Sequence, residues 1–169
     1  LNEVDSLAKA IGSMIEQADS LKVRGGGVWA VITEHSSPLA SPVAYAIGAM
    51  IAGNAVVMNP SNKCPMPIFD FYTTMEKFGL PGGVLNLVVD RNEAESTQEL
   101  ANDMRLRGVV ASGSGDRMED MMFLQVDDEL RFINNLKGMS PALVYRPGDV
   151  KAAARNIVES AFSYSGQRI

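Results

Sequence analysis

The chain has 169 residues, 46% of them hydrophobic and 21% charged, with a net charge of −5. That length and apolar content suit one domain with a real core and exclude a disordered or low-complexity chain. The acidic balance, with a pI near 4.9, argues against a nucleic-acid backbone or an anionic membrane as partner. One cysteine, Cys64, and one histidine, His35, leave no disulfide framework and no multi-thiolate zinc site. The lone thiol suits a reducing compartment, so the expected location is cytoplasmic.

In chain order, Val4, Leu7, Ile11, Met14, Ile15 and Ala18 recur at helical spacing with charged residues between them, which predicts an amphipathic helix. Gly25-Gly26-Gly27 then leads into an apolar strand over 28–32. From His35 to Asn62 there is no charged side chain, but Pro38, Pro42, Gly53-Asn54 and Pro60 cut the run below the ~20 apolar residues of a membrane span. It reads instead as a buried helix over 42–52, stopped by Gly53-Asn54, and a short strand over 55–58 halted by Pro60. Ile68, Phe71, Tyr72 and Met75 mark a helix closed by Gly79, followed by a Pro-Gly-Gly turn and a strand over 84–89. A helix over 93–104, a strand over 108–111 and a Met-rich helix over 118–124 come next. Short strands are expected over 130–133 and 142–145. A last amphipathic helix carries Val150, Ala153, Ala154, Ile157, Val158 and Ala161 on one face, with Asp149 as its N-cap.

Alternating strands and helices, with strands that are apolar throughout, predict an α/β fold: a Rossmann-like parallel sheet covered by helices on both faces. Function in such sheets gathers at the carboxyl ends of the strands, here 33–38, 59–63, 90–91, 112–117 and 134–139.

Gly25-Gly26-Gly27-Val28-Trp29-Ala30 fits a dinucleotide fingerprint in letters but precedes a strand instead of following one, so it reads as a turn. Ser112-Gly113-Ser114-Gly115 does join a strand to a helix, where backbone N–H groups can cradle a phosphate. Cys64 has no neighbouring base and reads as a packed thiol, His35 as a structural residue at a strand end, and Met118, Met121 and Met122 as an apolar face.

Six segments carry a resemblance in order and spacing. They are the stretches from Val31 to Leu39, from Ala52 to Ser61 and from Gly79 to Asn86, then Ser112-Gly113-Ser114, Leu136 to Ala142, and Ser165-Gly166-Gln167-Arg168. Over residues 24–169 the chain resembles the aldehyde dehydrogenase superfamily.

The resemblance implies a cysteine thiolate that attacks the aldehyde, an asparagine that holds the oxyanion, and a glutamate that activates water. Those family positions fall at Ile169, Ser36 and Asn135, and all three are substituted. Ser36 retains one donor on a shorter arm; Asn135 takes no proton from water near neutral pH; Ile169 has no nucleophile. For the cofactor, NAD or NADP, the resemblance points to Ile32, Thr33, Asn59, Ser61, Asn62, Gly113, Ser114 and Leu136. The family's lysine and frequent glutamate at the adenosine ribose fall at Asn59 and Asn62, which implies weakened binding. Loss of that glutamate, with Lys63 adjacent, removes a repulsion against the 2′-phosphate of NADP. The glycine usual after the pyrophosphate turn is Met118, and a family glycine near the nicotinamide is Lys137.

The expected organisation is an N-terminal helix over 1–23, a NAD(P)-binding domain over 24–138, and the start of a truncated catalytic domain over 139–169. Leu1 at the start, and Gln167-Arg168-Ile169 with no stop signal for the helix before them, suggest an excerpt of a longer protein. Two functions follow as expectations. One is an aldehyde dehydrogenase-like oxidoreductase, acting on a small aldehyde in its family, with this chain catalytically impaired. The other is a non-catalytic nucleotide-binding or assembly module that meets a partner subunit or forms a homo-oligomer.

Overall fold

Five short segments pair into one parallel sheet in the computed structural model, which describes residues 2–18, 25–113, 130–136 and 141–162. The chain divides into two compact units, Leu1–Leu136 and Lys137–Ile169. In the first, α1 (Asn2–Ala18), β1 (Val28–Thr33), α2 (Ala40–Ile51), β2 (Ala55–Pro60), α3 (Met66–Lys77), β3 (Leu85–Leu87), α4 (Glu93–Ala101), β4 (Leu106–Gly113) and β5 (Arg131–Leu136) follow in sequence. Among the described residues the second unit contributes one helix, α5 (Val150–Phe162).

The sheet order is β3-β2-β1-β4-β5, every pair parallel, which is the doubly wound arrangement expected from the sequence. Successive strand residues face opposite sides and build two cores. Val31, Val56, Met58, Leu85 and Val110 pack with Val43 and Ala46 of α2, Ile68 of α3 and Leu7 of α1. Ala30, Ile32, Leu106, Val109 and Ala111 pack on the other face with Ala101 of α4.

The helices end where glycine permits. At α2 the N–H of Gly53 bonds Met50 O and that of Asn54 bonds Ala49 O, with Gly53 at φ +82°. At α3 the same pair of bonds runs from Gly79 to Glu76 and from Leu80 to Met75. Both are Schellman caps that satisfy carbonyls the helix leaves unpaired.

The glycine run before β1 is a turn, as its context implied. The Asn54 side chain accepts from Gly26 N at 2.7 Å and Gly27 N at 3.3 Å while donating to Ala49 O at 3.0 Å. A Cβ on Gly25 would lie 1.8 Å from Gly53 O, so the two backbones touch there.

Several element boundaries differ from expectation. Pro60 closes β2 from inside, because a strand's last residue tolerates the missing N–H. At the sheet edge β3 keeps three residues, since it has a partner on one side alone. Helix α4 stops at Ala101, where Asp103 folds back to accept from Arg105 N at 2.9 Å. Residues 142–145 form no strand: a strand exists by pairing, and no partner strand occurs among the described residues of that unit. Asp149 does cap α5, accepting from Lys151 N at 2.9 Å and Ala152 N at 3.0 Å. The expected helix over 118–124 lies outside the described residues. No described helix is long and apolar enough to cross a membrane.

Candidate functional site

Because β1 sits mid-sheet and the chain winds outward from it in both directions, the topological switch point lies between β1 and β4. Register aligns the carboxyl ends there. Thr33 pairs with Pro60 on one side and Ser112 on the other, and Ser112 pairs with Asn135. One residue earlier, Ile32 lies between Asn59 and Ala111; one later, Gly113 lies beside Leu136. Of the sequence-selected residues, Ile32, Thr33, Asn59, Gly113, Asn135 and Leu136 thus share one sheet edge, with Ser36, Ser61 and Asn62 on the segments leaving it. Ser114 and Ile169, like Met118 and Lys137, lie outside the described residues.

Ser36 and Asn135 are both engaged with neighbours. The single hydroxyl proton of Ser36 goes to Glu34 Oε1 at 2.5 Å. The Asn135 amide donates to Tyr45 Oη at 2.6 Å, tying the end of β5 to α2. Glu34 N donates to Ser112 O at 3.1 Å and extends the ladder past β1. Gly113 accommodates this neighbour: it adopts φ +148°, and a Cβ would lie 2.8 Å from Glu34 Cγ.

The end of β2 is more heavily bonded. Asn59 is 1% exposed. Its amide donates to Val88 O at 3.0 Å and its oxygen accepts from Thr97 Oγ1 at 3.2 Å, joining β2 to the end of β3 and to α4. Ile32 and Ser61 are also buried, which leaves backbone groups as what Ile32 can offer a ligand. Ser61 Oγ donates to Glu93 Oε1 at 2.7 Å, and Asn62 N donates to the same oxygen. The Asn62 amide donates to Asp90 O at 3.2 Å and Arg91 O at 2.8 Å.

Among the other candidates, His35 is exposed and Cys64 is a half-buried free thiol on the turn before α3. Among the described residues, the carboxylate held well below its usual range is Asp103, in the turn before β4, where the Arg105 side chain, then its backbone N–H, bring it down to about 2. Sequence reading missed Tyr45 and Glu93, which act across the fold at separations of 90 and 31 residues. The signal for Glu93 was its place as an acid opening the helix that follows β3, next to β2 in the sheet.

Comparisons with known proteins agree with this geometry. The sequence model of the aldehyde dehydrogenase family matches residues 6–169. An N-succinylglutamate 5-semialdehyde dehydrogenase of Chromohalobacter salexigens is 36% identical over 151 residues, covering 88% of this chain and 30% of that protein. The chain thus spans about a third of the length of the curated relatives it matches. A lactaldehyde dehydrogenase structure superposes with a TM-score of 0.87 at 28% identity, over 98% of this chain and 38% of the other. An aldehyde dehydrogenase from Pseudomonas syringae, complexed with NAD+ and octanal, shares the fold at 22% identity and a TM-score of 0.79, over 93% and 35% of the two chains. A family match over nearly the whole sequence, on a sheet of the order 3-2-1-4-5, makes the chain a member of the aldehyde dehydrogenase family.

Proposed function

We propose that the chain is the dinucleotide-binding part of an aldehyde dehydrogenase-like oxidoreductase, and that it does not itself oxidise aldehydes. The family reaction converts an aldehyde and water to an acid with reduction of NAD(P). The observation that carries the loss of activity is the pairing of Ser36 with Glu34 and of Asn135 with Tyr45. At these positions the resemblance puts the oxyanion donor and the general base. Here one holds a hydroxyl whose proton is committed and the other an amide with no acid–base chemistry near neutral pH. Ile169, at the nucleophile's position, is an alkyl side chain.

The residues fit a dinucleotide. Gly113 ends β4 at the switch point, where backbone can approach a phosphate. No bond to the Asn62 carboxamide oxygen occurs among the described residues, so it suits a ribose hydroxyl. A Pseudomonas syringae aldehyde dehydrogenase of the same fold is complexed with NAD+. When bound, the cofactor supplies the hydride acceptor. The buried engagement of Asn59 removes a cation from the adenosine end and weakens binding relative to an intact family site. The reading places the protein in the cytoplasm.

Purified chain, mixed with a panel of aldehydes and NAD or NADP, forms no NAD(P)H in proportion to protein concentration; a proportional rate overturns the reading. Saturable change in Trp29 fluorescence on titrating NAD or NADP supports cofactor binding. A flat response up to millimolar cofactor removes it.

A second reading, an assembly module with a homo-oligomer or partner subunit, draws on one feature. Between α2 and the β4–β5 half of the sheet lies a cleft of about 520 Å³, lined by Trp29, Tyr45, Val110, Arg131 and Ile133, among others. Ile133 is 48% exposed there. Sedimentation velocity distinguishes the readings: a concentration-dependent dimer with no cofactor response favours assembly.

A further inference from the structure

Position 62 holds an asparagine where the resemblance aligns the ribose-binding glutamate, yet a carboxylate still stands at the end of β2. It comes from a different element. Glu93 opens α4 and is half-buried, and its Oε1 takes the Ser61 hydroxyl at 2.7 Å together with the Asn62 backbone N–H. Ser61 Oγ in turn accepts from Lys63 N at 3.3 Å. Three successive residues after β2 are therefore organised around one carboxylate from α4.

In doubly wound sheets an acidic group after the second strand favours a ribose 2′-hydroxyl and repels the 2′-phosphate that distinguishes NADP. The physical requirement is a negative charge held at that place; the element supplying it is immaterial. We infer that Glu93 is a specificity-determining residue, supplying across the fold the charge lost at position 62 and biasing this site towards NAD over NADP. The inference rests on the cofactor-binding reading above. The sequence alone left NAD and NADP open, with the glutamate position vacated and Lys63 adjacent.

Two charges compete at this corner. Lys63 is exposed, and its flexible ammonium is screened by water and salt. Glu93 is less exposed and pinned by two hydrogen bonds, so its field is steadier and less screened. Glu93 therefore dominates. The argument uses its charge and requires no spare lone pair.

The test is calorimetric titration of the chain with NAD and NADP, with Glu93→Gln beside it. Glutamine retains a carbonyl oxygen to accept from Ser61 and Asn62 and loses the charge. The expected result is wild-type preference for NAD of about tenfold or more, with most of it erased in the variant by tighter NADP binding. Both cofactors bound with an unchanged ratio in E93Q, or a wild-type preference for NADP, overturns the inference and leaves the cofactor-binding reading intact. No binding of either cofactor by either protein sinks both.

Salt gives a second readout that needs no variant. Repulsion is screened, so raising salt to about 0.5 M narrows the wild-type preference by improving NADP relative to NAD. A ratio independent of salt, or NADP weakening relative to NAD, assigns control elsewhere and overturns the inference.

Discussion

The carboxyl ends of β2 and β5 have lost charged residues that the family resemblance aligns there, two at β2 and one at β5, and they have settled the loss differently. At β2 the replacements are knitted inward: Asn59 bonds Val88 and Thr97, and Asn62, with its neighbour Ser61, bonds Glu93. At β5 the replacement is exposed, and Asn135 makes one bond to Tyr45. A side chain that loses its chemistry but gains buried partners becomes part of the scaffold. One that stays at the surface is merely tolerated. At the first corner a carboxylate, Glu93, bonds the residues after β2; at the second, Asn135 bonds an uncharged phenol.

The largest effect tests whether the β5 corner is tolerant throughout. Gly113→Val places a side chain against Glu34 in a backbone conformation that valine resists, and destabilises by about 3 kcal/mol or more in urea unfolding. Near wild-type stability would show that Glu34 and the strand end relax freely. Next, Asn59→Ala removes the buried carboxamide that bonds Val88 O and Thr97 Oγ1 and costs about 1–3 kcal/mol, whereas Asn135→Ala stays within about 0.5 kcal/mol. Equal losses would erase the contrast between the corners.

Smaller again, Asp149→Ala removes the cap of α5 and costs that helix about 1 kcal/mol, read as faster exchange of the Lys151 and Ala152 amides. The smallest effect belongs to Asp103, at the turn before β4. Its carboxyl is lowered from an ordinary 3.8 to about 2 by Arg105, so its contribution is complete above pH 4 and fades as pH falls towards 2. Carboxyl titration by NMR gives a midpoint near 2, and Arg105→Ala returns it towards 3.8. An unchanged midpoint would remove Arg105 as the cause.

How much of this was visible in the linear sequence depends on the range of each interaction. The runs around Val28–Thr33 and Leu106–Gly113 read clearly because strands buried on both faces stay apolar at every position. Gly53 and Gly79 announced helix ends because the cap is local chemistry. Residues 142–145 misled, since β-branched and aromatic side chains describe a surface fit for pairing and cannot supply the partner. The site was half legible. The strand pattern located Asn135 near the end of β5 and Ser36 on the turn after β1, but the bonds that commit them come from Tyr45 and Glu34. Compensation by Glu93 escaped a position-by-position reading, because the loss and its repair stand 31 residues apart.

The clasp at the opposite edge of the sheet has a kinetic corollary. Asn54 reaches back 28 residues to Gly26, and Gly25 touches Gly53, so β1 and α2 form a loop whose two ends are fastened together where β2 begins. Closure entropy grows only with the logarithm of loop length, and everything needed to close this one lies between Gly25 and Pro60. The register of β1 on β2 is therefore fixed by contacts close in sequence, and β3 and β4 pair with strands that are already aligned.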